Sequence, residues 1–146
     1  MRVLPAATAA YPEAMEQHRA SSLAPGMTAK VELTVTDADT AQAMGSGDVP
    51  VLGTPRVLAL AEAATVAATA ARLEPGTTTV GTRVELEHTA PSPVGATVTA
   101  TATLAKVDGR RLLFEVRVSA TGRVIAEGRV ERTVVDRQRF LDKAFR

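Results

Sequence analysis

Four residues break an otherwise apolar or neutral pattern in places where chemistry could be done. Glu62 is the only acid in the run Leu58-Ala-Leu-Ala-Glu-Ala-Ala-Thr-Val-Ala-Ala-Thr-Ala-Ala71. A carboxylate among apolar neighbours must find a cation, take up a proton or face a cavity. His88 shares the inward parity of Val84 and Leu86 at the end of its strand, and imidazole titrates where general acids and bases work. Thr54 precedes Pro55 at a helix start, so its hydroxyl can cap the helix. The unsatisfied N–H groups beside it could hold an oxyanion. Arg132 continues the inward parity of Val130 and Val134, although an arginine at a strand end ordinarily reaches solvent.

Each residue also has a purely structural reading. Glu62 could lie at a subunit seam or in solvent, His88 could be a satisfied core residue, and Thr54 could be a plain cap. Taken together, a hydroxyl, a carboxylate and an imidazole form a workable set for acyl transfer. Spacing alone does not make them converge.

The elements that must position these residues follow from periodicity. Residues 1–26 carry Pro5, Pro12 and Pro25 and end at Pro25-Gly26. They read as an N-terminal arm, loosely held or with a short helix near 13–20. Residues 27–146 read as a single domain. Its first strand covers 28–36, with Val31, Leu33 and Val35 on one face. A small, flexible stretch at 44–50 reads as a lid or entry loop. A helix follows from Pro55 to about Leu73, with Thr54 as N-cap and Pro75-Gly76 as stop. It is apolar almost all round, which predicts burial on most sides.

Four strand signals come next, at 78–90, 95–107, 110–120 and 123–134. Hairpin turns are expected at Asp108-Gly109 and Thr121-Gly122. On the first of these strands Val80, Thr82, Val84, Leu86 and His88 share a face. On the last, Val124, Ala126, Gly128, Val130 and Arg132 do. The tail from 136 reads as a short amphipathic helix. A curved antiparallel sheet wrapped around one central helix satisfies every pattern. This is an α+β hotdog fold, and a homodimer that extends the sheet would cover its open edge.

Composition narrows the function. The chain has 146 residues, a net charge of +1 and 45% hydrophobic residues, which predicts one globular domain. No basic block and no aromatic platform is present, which argues against nucleic acid. Cysteine is absent and only two histidines occur. Disulfides, thiolate nucleophiles and Cys-based zinc sites are thereby excluded, and neither a metal nor another cofactor is expected. No apolar run is long enough for a membrane span, and Pro5 interrupts any secretory signal. The expected setting is the cytoplasm.

The segments Val51-Leu52-Gly53-Thr54 with Glu62 eight residues on, and Val80-Gly81-Thr82-Arg83-Val84-Glu85-Leu86-Glu87-His88-Thr89-Ala90, resemble the fluoroacetyl-CoA thioesterase family of hotdog proteins. Val107-Asp108-Gly109-Arg110-Arg111-Leu112 and Gly128-Arg129-Val130-Glu131-Arg132 are similar to that family's later hairpin and last strand. The resemblance covers roughly residues 26–142. It implies a dimeric thioesterase in which Thr54, Glu62 and His88 match the catalytic set. It also implies that the Gly81 backbone lies close to the acyl group and that Arg132 lies near the site. The arm is longer than in the family. The lid, Gly45 to Pro50, lacks the aromatic residues that close the pocket of the fluoroacetyl-selective member. The resemblance therefore implies the hydrolytic set without implying selectivity for a fluorinated acyl group.

The leading functional expectation is hydrolysis of a small or medium acyl-CoA thioester. The alternative is a non-catalytic hotdog module that binds an acyl thioester or an apolar small ligand. A hydratase or dehydratase on the same fold ranks last, because no Asp stands near His88.

Overall fold

The structure is a computed structural model that describes residues 1–5 and 23–146. The helix considered near 13–20 lies outside the described residues. Six strands form one antiparallel sheet: β1 (Arg2–Leu4), β2 (Thr28–Thr34), β3 (Thr77–His88), β4 (Thr97–Asp108), β5 (Arg111–Ala120) and β6 (Arg123–Asp136). Their spatial order is β1-β2-β4-β5-β6-β3. Among the described residues three α-helices accompany them: α1 (Ala41–Met44), α2 (Thr54–Thr69) and α3 (Arg137–Ala144). This is the α+β hotdog arrangement of a sheet curved around a central helix. No helix among the described residues is long and apolar enough to cross a membrane.

Strand β1 was not expected. Arg2–Leu4 adds to the sheet by pairing Val3 with Val31. A stretch this short carries too little periodicity to read as a strand.

The helix buries one stripe rather than its whole circumference. Val57, Leu60, Ala61, Ala64, Thr65 and Thr69 are buried, and they recur at the three- and four-residue spacing of a helix face. They pack against the inward residues of β2, β4 and β5, among them Val31, Leu33, Val98, Leu104, Leu112 and Phe114. Ala59, Val66 and Ala70 remain exposed, and Glu62 and Ala63 are half-buried. The expectation of burial on most sides is therefore not met within one chain, because a single sheet covers only one flank of the helix.

Bulges reset the strand parities. In β3 the register with β6 shifts between Gly81 and Arg83. Before the bulge Thr79 points inward and is buried. After it Val84, Leu86 and His88 take the inward side, while Thr82 is exposed. An extra residue on one strand swaps the face of everything beyond it. The β5–β6 register also shifts, between Val118 and Ser119, so Ile125 and Ala126 are buried while Val124 is exposed. The β4–β5 hairpin turns on Gly109-Arg110, one residue later than predicted, with Gly109 at φ 58°. The β5–β6 hairpin turns on Thr121-Gly122 as expected, both with positive φ.

Strands β1 and β3 form the edges of the sheet. The β1 edge is three residues long, whereas β3 presents twelve. A long open edge is a row of unpaired backbone groups.

Candidate active site

Helix α2 starts one residue before the expected point. Gly53 is the N-cap and has no side chain to cap with, Thr54 is the first helical residue and Pro55 follows it. Thr54 is therefore not the cap, and its hydroxyl is free for another partner. That partner is His88: Thr54 Oγ1 lies 2.8 Å from His88 Nδ1. The strand end and the helix start meet here because β3 runs out at His88, opposite Ala126 of β6. The other imidazole nitrogen, His88 Nε2, is buried with no hydrogen-bond partner. A buried, unpaired ring nitrogen is costly.

The amides at this helix start are nearly all occupied. Arg56 and Val57 both donate to Gly53 O, at 3.0 and 3.1 Å, and Pro55 has no N–H. The Thr54 amide is the one left over. A cleft of about 340 Å³ opens beside it, lined by Ala41, Val49, Val51, Gly53, Thr54, His88 and Ala90 among others.

Glu62 lies two helical turns further on, about 12 Å along the axis at 1.5 Å per residue. It does not meet Thr54 or His88 in the same chain. Its Oε2 accepts from Arg132 Nη1 at 2.9 Å. Arg132 in turn donates from Nε to Thr79 Oγ1 and from Nη2 to Thr79 O, both at 3.0 Å. Arg132 is 6% exposed, so the inward parity prevails over the habit of strand-end arginines. Burial draws its guanidinium below the usual value, against the upward pull of the Glu62 carboxylate. The Glu62 side chain is 32% exposed.

Gly81 completes this group. A Cβ built there would collide with Glu62 Oε2 and come within 3.3 Å of Arg132 Nη1. The glycine thus lets the carboxylate lie directly against the edge strand. The sequence reading missed Thr79, whose role follows from the bulge that turns it inward. The five residues singled out therefore fall into two groups within one chain, Thr54 with His88 and Glu62 with Gly81 and Arg132.

The chain matches a family of known proteins. The model of the fluoroacetyl-CoA-specific thioesterase family matches residues 35–138, which include both groups. A fluoroacetyl-CoA thioesterase from Streptantibioticus cattleyicolor is 45% identical over 92 residues, 62% of this chain and 65% of that relative. The chain thus aligns with just under two thirds of its length. A solved structure of a fluoroacetyl-CoA thioesterase superposes with a TM-score of 0.79 at 32% identity, covering 85% of this chain and 96% of that one. A Thermus thermophilus protein described as a thioesterase superfamily member gives 0.79 at 27% identity, over 86% and 92% of the two chains. On the strength of a match over most of its length, this chain belongs to the fluoroacetyl-CoA-specific thioesterase family.

Proposed function

We propose that this protein hydrolyses the thioester of a small or medium acyl-CoA. The observation that carries the reading is the Thr54–His88 hydrogen bond of 2.8 Å, with the far ring nitrogen buried and unpartnered beside a cleft. A structural histidine would have both nitrogens satisfied. Known relatives add weight, one of them a fluoroacetyl-CoA thioesterase variant solved in complex with acetyl-CoA at a TM-score of 0.79.

The two groups come together through a homodimer. Strand β3 is a sheet edge, and Ala59, Ala63 and Val66 form an apolar stripe on the helix flank that bears Glu62. An antiparallel pairing of β3 with its copy would extend the sheet and cover that stripe. With the two-fold axis near Val84 and Glu85, His88 of one protomer lies opposite Gly81 of its partner. The partner's Glu62 carboxylate, seated against Gly81, then approaches His88 and the cleft. Each active centre takes Thr54 and His88 from one subunit and Glu62, Gly81 and Arg132 from the other.

Glu62 accepts a proton from water as the water oxygen bonds to the carbonyl carbon. The Thr54 amide and a Gly81 backbone N–H stabilise the oxyanion. The C–S bond then breaks, His88 delivers a proton to the leaving thiolate, and the proton that Glu62 took from water passes to His88 to restore both groups. The Thr54 hydroxyl holds the ring in place. Arg132 holds Glu62. Direct attack by the Glu62 carboxylate would instead form an anhydride that water opens. A single turnover in ¹⁸O-water separates the two, because only the anhydride path can label Glu62. On this reading the protein works in the cytoplasm.

One observation favours a second reading, a module that binds an acyl thioester without cleaving it. Glu62 already has an ion-pair partner in its own chain, as a purely structural carboxylate would. A thiol-release assay over a panel of acyl-CoAs decides between the two, with Glu62→Gln as control. The expected outcome is release by the wild type and loss in the variant, with the dimer intact by sedimentation. Tight binding without thiol release would establish the binding module.

A further inference from the structure

We infer that Asp39 and Arg56 form a positioning pair that sets the Thr54 hydroxyl against His88, an inference that rests on the thioesterase reading above. Arg56 is the third residue of α2, in the first turn, where the helix dipole disfavours a cation. A charge placed against that field needs a compensating partner, and Asp39 provides it. Asp39 Oδ1 accepts from Arg56 Nε at 3.0 Å, and the two side chains are only 12% and 21% exposed.

Asp39 grips the helix start at more than one point. Its backbone oxygen accepts from the Gly53 amide at 2.9 Å. Its other carboxylate oxygen accepts from the Thr36 amide and hydroxyl, at 2.8 and 2.9 Å. Thr54 is thus bracketed. Gly53 before it and Arg56 after it are both tied to one buried aspartate, which is itself anchored at Thr36. The neighbouring backbone continues the clamp. Thr40 bridges Leu52, Val51 bridges Pro93, and the Leu52 amide donates to Ser92 O at 2.9 Å. The floor of the cleft and the Thr54 hydroxyl are therefore carried on one hydrogen-bonded frame, and Asp39–Arg56 is its charged joint. Neither residue lines the cleft, so the pair acts through Thr54 rather than on the substrate.

The test is a double-mutant cycle with Thr54→Ala, read by thiol release. Because a displacement of about 1 Å at a reacting centre can cost about a hundredfold, Arg56→Met is expected to lower kcat about 10- to 30-fold. KM should move by less than about threefold, since the lost interaction is with neither substrate nor cleft. In the Thr54→Ala background the same change should cost less than about twofold, because its target is gone. Arg56→Lys, which keeps the charge, should recover part of the loss. Full multiplication of the two losses would overturn the inference, as would an unchanged kcat in Arg56→Met.

The ¹⁵N resonances of the His88 ring give a readout independent of turnover. Arg56→Met should shift the Nδ1 signal toward that of Thr54→Ala in the folded dimer, and an unmoved signal counts against the pair. If the wild type cleaves no thioester, the thioesterase reading fails while this spectrum still decides the positioning role. Should Arg56→Met fail to fold, Asp39→Asn, which keeps the side-chain volume, carries the same cycle and spectrum.

Discussion

The two halves of the candidate site are built on opposite principles. The Arg132 guanidinium makes three hydrogen bonds, two to Thr79 and one to Glu62. Around His88 a single hydrogen bond holds the ring, and its other nitrogen is unpartnered. The first half is an ion pair closed by hydrogen bonds. The second has an unpartnered ring nitrogen and opens to a cleft. A group that must move protons needs a vacant nitrogen, whereas a carboxylate that must stay oriented in a half-buried place needs a fixed cation. On the proposed reading, the first half supplies an oriented carboxylate that takes a proton from water, and the second an imidazole that delivers one to the leaving group.

That contrast can be broken at several points. The largest effect is expected at His88. His88→Asn should lower kcat by about 10²- to 10⁴-fold, the usual weight of one general acid–base group. The melting temperature should barely move, because only one hydrogen bond is lost. A variant that unfolds instead would make His88 a structural residue. Gly81→Ala comes next. Its methyl group must push the Glu62 carboxylate off the edge strand, and a displacement near 1 Å predicts a loss of up to about a hundredfold in kcat. Steady-state kinetics at matched protein concentration checks it, and an unaltered kcat would show that the carboxylate's seat does not matter.

Arg132→Met should act the other way round, chiefly on stability. Removing one partner of a buried pair costs about 3–5 kcal/mol, and the partly exposed Glu62 end places the expectation near the low end, about 3 kcal/mol. Urea denaturation monitored by circular dichroism measures it. A variant as stable as the wild type would mean that the ion pair does not hold this half together.

The smallest effect concerns acid. Burial pushes the Asp39 carboxyl up, but the Thr36 amide and hydroxyl and the Arg56 guanidinium outweigh it and leave it below its usual value. A carboxyl depressed in the folded state contributes stability that is complete above its unfolded pKa of about 3.9. That contribution is lost as the pH falls through the lower folded value. Asp39→Asn should therefore narrow its stability deficit relative to the wild type below about pH 4 and show it fully at neutral pH. A deficit independent of pH would leave the carboxylate charge without a role.

Much of this was legible in the residues themselves. The alternation of Leu112, Phe114, Val116 and Val118 placed β5 correctly, because it runs straight through the core and all four are buried. Glu62 could be singled out because a lone carboxylate in an apolar helix demands a partner. The choice of partner was not legible. Arg132 lies 70 residues away, and its reach to Glu62 depends on the β3–β6 register, which a bulge decides. The same bulge hid Thr79, since a strict two-residue period assigns it to the outer face. The start of α2 was displaced by one residue because Gly53 has no cap to advertise it, and that residue decides whether the Thr54 hydroxyl serves the helix or the histidine. Arg56 and Asp39 gave no local signal, as an arginine in a first turn and an aspartate in a polar loop both read as solvated.

The residues alone specify a helix too apolar to stand alone, strands to wrap it, and an acid, an imidazole and a hydroxyl placed on them at fixed spacing. These follow from local propensity and periodicity, which act over a few residues. Only the folded chain separates these groups into two sets, Glu62 with Arg132 and Thr54 with His88. That outcome rests on register, bulges and the close approach permitted by Gly81, contacts between residues far apart in sequence that no local period encodes.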